Sequence, residues 1–162
     1  MLQWRAMGEG DVAGVQLVSD AVHPELPERE AVVAARLRLY PAGCHVLAGE
    51  DGAIGGYVMS HPIRPFEPPV LDRMPDEIPS DATQYYIHDI ALHPRLRGGG
   101  HARPIIEHLL AEATAFDSMA LISVYGTAPF WSKFGFAPSE RDMSEALCAY
   151  GPGAVFMVRT PS

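Results

Sequence analysis

The sequence predicts a mixed α/β domain, on three observations. Apolar runs of strand length alternate with segments of helical periodicity, which calls for a sheet with helices packed on it. Asp51-Gly52 lies between two apolar runs, a strong hairpin signal, so part of the sheet is antiparallel and the whole is mixed. The chain has 162 residues, 48% of them apolar types, enough for one domain with its own core and no disulfide or metal staple.

Leu2 to Ala6 reads as a first strand, with Trp4 and Arg5 as ordinary strand residues. Asp11 is placed to cap a helix carrying Val12, Val15, Val18 and Val22 at helical spacing. Pro27 suits the first turn of a second helix, with Glu28 and Glu30 near its positive end, and Pro41 stops it. His45 to Gly49 and Ile54 to Met59 are the strands of the hairpin, with His45 and Cys44 in its core. Residues 60–82 hold Pro62, Pro65, Pro68, Pro69, Pro75 and Pro79, which exclude a regular element and leave a long loop, either a lid or binding loop or a surface insertion. Tyr85 to His93 is a central strand ended by Pro94. Ala102, Ile105, Ile106, Leu109, Leu110 and Ala113 mark one helical face. Met119 to Tyr125 is a buried strand. Thr127 is placed to cap a short helix that Gly135 closes, and Ala154 to Val158 is the last strand. No internal repeat is found.

Composition removes several function classes. The charge is too low for a disordered chain, and no apolar run approaches the ~20 residues of a membrane span. The net charge is −8 and Lys133 is the one lysine, so nucleic acid and anionic membranes are poor partners. The N-terminus lacks the basic start and apolar run of a secretory signal. Cys44 and Cys148 are too few and too distant for a disulfide framework, and two buried thiols in a cytoplasmic protein are expected. No Cys/His spacing suits zinc, so no metal is expected.

The most informative segment joins strand to helix: Leu92-His93-Pro94-Arg95-Leu96-Arg97-Gly98-Gly99-Gly100-His101-Ala102. Three glycines let the backbone curl with its N–H groups facing one concavity, and the helix N-terminus adds about half a positive charge, which suits a phosphate. The plain alternative is a glycine-rich turn without a ligand. The loop lacks the Lys-Ser/Thr ending of a P-loop, and Arg103 stands where a dinucleotide fingerprint has its third glycine.

What remains, Arg97, Gly100 and Ala102 after a strand and before an amphipathic helix, resembles the pyrophosphate loop of the GNAT acetyltransferase superfamily. A second match follows about 30 residues later: Ala128-Pro129-Phe130-Trp131-Ser132-Lys133-Phe134-Gly135-Phe136 is similar to that superfamily's late Phe-Tyr-x-x-x-Gly-Phe segment. Tyr86-Ile87-His88-Asp89-Ile90-Ala91-Leu92-His93 aligns without a gap on the His-x-His strand of the arylalkylamine (serotonin) N-acetyltransferase branch. The likeness runs weakly through the N-terminal helices and the hairpin, and poorly through the Pro-rich loop.

The resemblance implies one domain over residues 1–162 with a mixed, mostly antiparallel sheet flanked by helices on both faces. It implies acetyl-CoA as co-substrate, a small-molecule primary amine as acceptor, and a possible homodimer. Ile90, Ala91 and Leu92 would offer backbone groups to the pantetheine arm. Arg97, Gly98, Gly99, Gly100, His101, Ala102 and Arg103 would wrap the pyrophosphate. His88 would take a proton from the amine, a task an imidazole of pKa about 6.5 suits. Its plain alternative is a satisfied interior histidine. Tyr86 stands where the branch has its first strand histidine, and with a pKa of about 10 it is a poor base. Trp131 stands where a tyrosine usually protonates the departing thiolate, and an indole only donates a hydrogen bond; water, Tyr125 or Tyr86 would then supply that proton.

Strand alternation puts Tyr86, His88 and Ile90 on one face and Ile87 and Asp89 on the other, unless a bulge swings Asp89 round. His93 ends the strand, and His101 would lend its backbone N–H. Met59, Met74, Met119 and Met157 read as packing. Pro24 to Pro27 and the Pro-rich loop are the expected walls of the acceptor pocket. Two other functions fit the same residues: a coenzyme A-binding module without turnover, which the Tyr86 and Trp131 departures allow, and acetylation of a protein or peptide amine.

Overall fold

The computed structural model describes residues 1–74 and 76–161; Pro75 of the Pro-rich loop and Ser162 lie outside the described residues. One seven-stranded sheet carries the fold. Its strands are β1 (Gln3–Ala6), β2 (Cys44–Ala48), β3 (Ile54–Ile63), β4 (Gln84–Leu92), β5 (Ser118–Ser123), β6 (Ala137–Pro138) and β7 (Val155–Arg159), in the spatial order β1-β2-β3-β4-β5-β7-β6. Every neighbouring pair is antiparallel except β4 with β5. The sheet is therefore mixed and mostly antiparallel, as expected.

Helices cover both faces. On one, α1 (Val12–Val22) and α2 (Glu30–Leu39) set Val15, Val18, Val33 and Leu37 against Val46, Tyr57 and Met59. On the other, α3 (Ala102–Glu112) and α4 (Ala128–Ser132) set Ile105, Ile106, Leu109 and Trp131 against Val58, Ile87, Met119 and Leu121. The expected helical face of α3 is this buried one. A third cluster joins Ile63, Tyr86, Ala120 and Phe156, with Met143 and Leu147 beside it from the region of α5 (Ser144–Leu147). No helix among the described residues is long and apolar enough to cross a membrane.

Several local expectations need correction. β3 runs on to Ile63 through Pro62, so the irregular segment starts at Arg64 rather than residue 60. A proline is tolerated there because β2 begins opposite Met59, and beyond that point β3 has β4 alone as a strand neighbour. Helix α2 begins at Glu30, not at Pro27, because the Glu28 side chain is drawn inward to a buried arginine instead of decorating a first turn. Asp11 and Thr127 stand at N-cap positions without capping: Asp11 accepts from Arg5 and from the Gly8 N–H, and Thr127 donates to the Val124 carbonyl. Cys44 is buried, its thiol pushed up to about 12 by that burial, whereas Cys148 is exposed.

Two features of β4 shape the region between β4 and β5. The ladder between β4 and β5 covers only Gln84–Ile87 against Ser118–Leu121, after which the two strands part. The ladder with β3 slips by one residue: Ser60 faces Ile87 and Met59 faces Asp89, which leaves His88 as an extra residue in a bulge. The bulge reverses the alternation beyond it. Ile90 joins Ile87 on the α3 side, while Asp89 shares the α1 side with His88 and Tyr86. The face assignment from simple alternation is thus corrected at Asp89 and Ile90.

Candidate active site

The loop between β4 and α3 is built as a cradle. Gly98 and Gly100 have φ of 81° and 76°, a left-handed backbone that side chains rarely adopt, and a Cβ at either would meet nothing within 4 Å. The glycines therefore serve the turn itself and leave open the space their side chains would fill. Helix α3 opens at Ala102, and the N–H groups of its first turn have no partner inside the helix. Trp4 is more than a strand residue: its indole N–H donates to the His101 carbonyl at 2.7 Å and ties the loop to β1, on the far side of the sheet order. Arg103 extends over the Phe134 ring, 5.1 Å from its centroid.

A cavity of about 910 Å³ begins at this loop and follows the gap where β4 and β5 part. Ile90, Ala91 and Leu92 form one wall and Leu121, Ile122 and Val124 the other. Beyond Ile87 the gap-facing backbone groups of β4 have no strand beside them. Among the residues expected to bind cofactor, Arg97, Gly98, Gly100, His101, Ala102 and Arg103 line the cavity together with Ile90 to Leu92. Gly99 does not; its Cα packs toward the His101 ring. At the far end lie His88, Glu28, Asp89, His23 and Tyr150, with apolar walls from Val22, Leu26 and Leu71. The segment before Pro27 and the Pro-rich loop thus each contribute a wall to this cavity, through Leu26 and Leu71.

His88 is held by an ion-pair network. Its Nε2 lies 2.8 Å from Glu28 Oε1, and Glu28 grips the Arg36 guanidinium at 3.0 and 2.5 Å. Arg36 is 1% exposed. Burial alone would push the Glu28 carboxyl up, but His88 and Arg36 outweigh it and hold the group well below the usual carboxylate range. A carboxylate only accepts, so Nε2 carries the proton in the neutral ring and Nδ1 presents a lone pair. Nδ1 is buried without a protein partner.

A second chain of contacts runs beside it. Asp89 accepts from the Tyr57 hydroxyl at 2.5 Å and pairs with His23 Nε2 at 2.9 Å. His23 Nδ1 meets the Tyr125 hydroxyl at 2.9 Å. Burial opposes charge on both partners, yet the hydrogen bond and mutual attraction prevail: the Asp89 carboxyl sits below its ordinary value and the His23 imidazole above its own. Asp89 is therefore an ion-pair member, brought to this face by the bulge at His88.

Tyr86 and Trp131 are placed differently from His88. Tyr86 is 0% exposed, behind His88 with ring centroids 6.0 Å apart, and does not line the cavity. Burial drives its hydroxyl still higher, so it has neither the access nor the acidity for a proton role. Trp131 lines the cavity but is 6% exposed and packed edge-on against Phe136. His61, unremarked in the sequence, stacks on His88 at 6.5 Å and is drawn down to about 4 by burial. Sequence reasoning also missed His23, Glu28 and Arg36 as site residues. The only local signal was His23 preceding Pro24, which marks a helix end and not a function.

A model of the acetyltransferase (GNAT) family matches residues 15–136. No curated protein matches the chain. Many solved structures share the fold. The loading GNATL domain of CurA from Lyngbya majuscula superposes with a TM-score of 0.78 at 13% identity, covering 99% of this chain and 98% of that one. Rv2747 from Mycobacterium tuberculosis, in complex with CoA, gives 0.73 at 14% identity, with 99% of each chain covered. Naa50 from Arabidopsis thaliana, with the bisubstrate analogue CoA-Ac-MVNAL, gives 0.73 at 10% identity, again over 99% of each. With the family match over most of its length, and a glycine cradle that opens into a parted pair of strands, the chain belongs to the GNAT acetyltransferase family.

Proposed function

We propose that this protein transfers the acetyl group of acetyl-CoA to a primary amine by direct attack, with His88 as general base. The observation that carries the reading is one cavity lined both by the glycine cradle and by His88, whose Nδ1 has no protein partner. The donor set fits the co-substrate: open left-handed glycines, the first turn of α3, and the cations Arg97 and Arg103 suit a diphosphate. The unpaired edge of β4 from Ile90 to Leu92 suits the pantetheine amides and offers an N–H to the oxyanion that forms on attack.

An alkylammonium must lose a proton before it attacks a thioester. Glu28 fixes the His88 ring with Nδ1 as the acceptor, the arrangement a general base needs. The cavity that His88 lines is also walled by the apolar residues Val22, Leu26 and Leu71, which favours an amine carried on an apolar body. No acyl-enzyme is required, since the Cys44 thiol is buried and held protonated and Cys148 is not on the cavity wall.

Release of free thiol from acetyl-CoA across a panel of arylalkylamines, polyamines and short peptides tests the reading. Turnover with at least one small amine is expected, with His88→Gln lowering it by about 10²–10⁴-fold. Binding of acetyl-CoA with no thiol release for any amine would make the chain a coenzyme A-binding module. Turnover confined to peptides would move the acceptor class.

A further inference from the structure

Trp131 leaves a gap in the chemistry. When the C–S bond breaks, the electron pair departs on the CoA sulfur, and the indole at the usual tyrosine position has no proton to give it. The structure brings another hydroxyl to the same cavity. Tyr125 follows the last residues of β5 where the sheet opens, is 56% exposed, and lines the cavity wall. Its backbone has φ of 56°, in the left-handed region that a bulky side chain rarely occupies. Strain of that kind is held only where surrounding contacts dictate it, and here the contact is His23. The two rings stack at 5.6 Å and 19°, with the hydroxyl 2.9 Å from Nδ1. Asp89, itself gripped by Tyr57, holds the other ring nitrogen.

We propose that Tyr125 is the general acid of the reaction, and that the Tyr57–Asp89–His23 chain is its positioning and recharging device. The proposal rests on the acetyl-transfer reading above. The proton logic follows from the partners. Asp89 accepts only, so His23 Nε2 always carries a proton. In the imidazolium form Nδ1–H donates to the Tyr125 oxygen, and the phenolic proton is free to point into the cavity. In the neutral form Nδ1 is a lone pair, so the phenol turns to it and is withdrawn.

The step then balances. The alkylammonium first passes one proton through His88 to solvent; the neutral amine nitrogen then bonds the thioester carbon and gives a second proton to His88; the C–S bond breaks; Tyr125 protonates sulfur; the phenolate takes the Nδ1 proton of His23. His88 ends charged and His23 neutral, and exchange with solvent at the open end of the cavity resets both.

The charged groups facing His23 are Asp89 and Glu28, which favour its imidazolium, and Arg97, which opposes it; Tyr57 and Tyr125 complete its surroundings, with Glu25 facing Tyr125. The balance lies above the ordinary histidine value, so the competent form is populated at neutral pH and lost as pH rises.

The test compares the parent with Tyr125→Phe, a change at an exposed ring edge, and with Asp89→Asn. With an amine that the thiol-release panel shows to turn over, Tyr125→Phe should lower kcat by about 10²-fold and leave KM for acetyl-CoA near the parent's. The fall of kcat at alkaline pH should disappear in Tyr125→Phe and move to lower pH in Asp89→Asn. Nitrogen-15 histidine spectra should show the His23 titration shifting downward in Asp89→Asn, independently of turnover. Tyr125→Phe keeping more than half the parent kcat, or an alkaline limb that survives in it, overturns the role of Tyr125 alone. A parent that releases no thiol with any amine overturns this inference together with the reading beneath it.

Discussion

Glu28→Gln isolates what the buried carboxylate does. Its two oxygens meet both terminal nitrogens of Arg36, at 3.0 and 2.5 Å, and one of them also meets His88 Nε2. The other accepts the Asp72 N–H at 2.7 Å and so ties the Pro-rich segment to the site. The amide keeps the volume and deletes the charge, which leaves the Arg36 cation buried without a counter-ion. Breaking one side of such a pair costs about 3–5 kcal/mol. At about 2–4 °C per kcal/mol for a domain of this size, the melting temperature should fall by at least about 6 °C. Adding Arg36→Met should return a large part of that loss, because the pair removed together leaves no orphan.

The pH dependence has a definite sign. The folded carboxyl is held below its ordinary value of 4.5, so its contribution is full above that pH and drains away as acid protonates the folded state. The gap between parent and Glu28→Gln should therefore close on acidification. Differential scanning calorimetry at neutral pH and at pH ~3, between the ordinary and the folded values of the carboxyl, reads both effects. A variant that melts within about 2 °C of the parent, or a gap that ignores pH, would refute the account of Glu28 as the counter-ion of this core.

Three further outcomes are expected. Gly100→Ala, at φ 76°, should strain the loop by about 1–2 kcal/mol and weaken acetyl-CoA binding roughly tenfold by calorimetric titration; an unchanged Kd would mean that the cradle does not grip the ligand. Trp131→Phe should keep most of the activity, since the position fills a core and supplies no proton, and a loss beyond about 100-fold in kcat would show a chemical role. Trp4→Phe removes the tie to the His101 carbonyl, worth about 1 kcal/mol, and should raise KM for acetyl-CoA several-fold with a small fall in melting temperature; a KM at the parent's value would mean that the loop holds its shape unaided.

The parts of this protein written in local pattern were legible. The 3.6-residue spacing of Ile105, Ile106 and Leu109 named the buried face of α3, and Asp51-Gly52 named the β2–β3 turn. The cradle could be read because its requirement, backbone freedom between a strand and a helix, is itself local. His88 was reached by resemblance; it lines the cavity, and its buried Nδ1 has no protein partner. The partners of His88 and Asp89 were not legible. Glu28 and His23 lie 60 and 66 residues away along the chain, and nothing near either announces a meeting that only the return of α1 and α2 onto β4 creates. Glu28 was misread for a physical reason: a carboxylate after Pro27 is a good first-turn residue, and the pull of a buried guanidinium outweighs that preference. Pro62 misled similarly, since whether a strand tolerates proline depends on what lies beside it.

The extra residue at position 88 gives the site an arithmetic of its own. Two acid–imidazole pairs sit side by side because β4 is one residue longer than its partner requires. Because Ile87 already faces Ser60 and Asp89 already faces Met59, excising His88 would restore a regular ladder with Asp89 still on the α1 side. It would spare the Asp89–His23 pair and leave Glu28 paired with Arg36 alone. Straightening the bulge with the residue kept would instead turn Asp89 toward Ile87, Ile105 and Leu109, so the two dyads stand together only because β4 holds one residue more than its ladder uses.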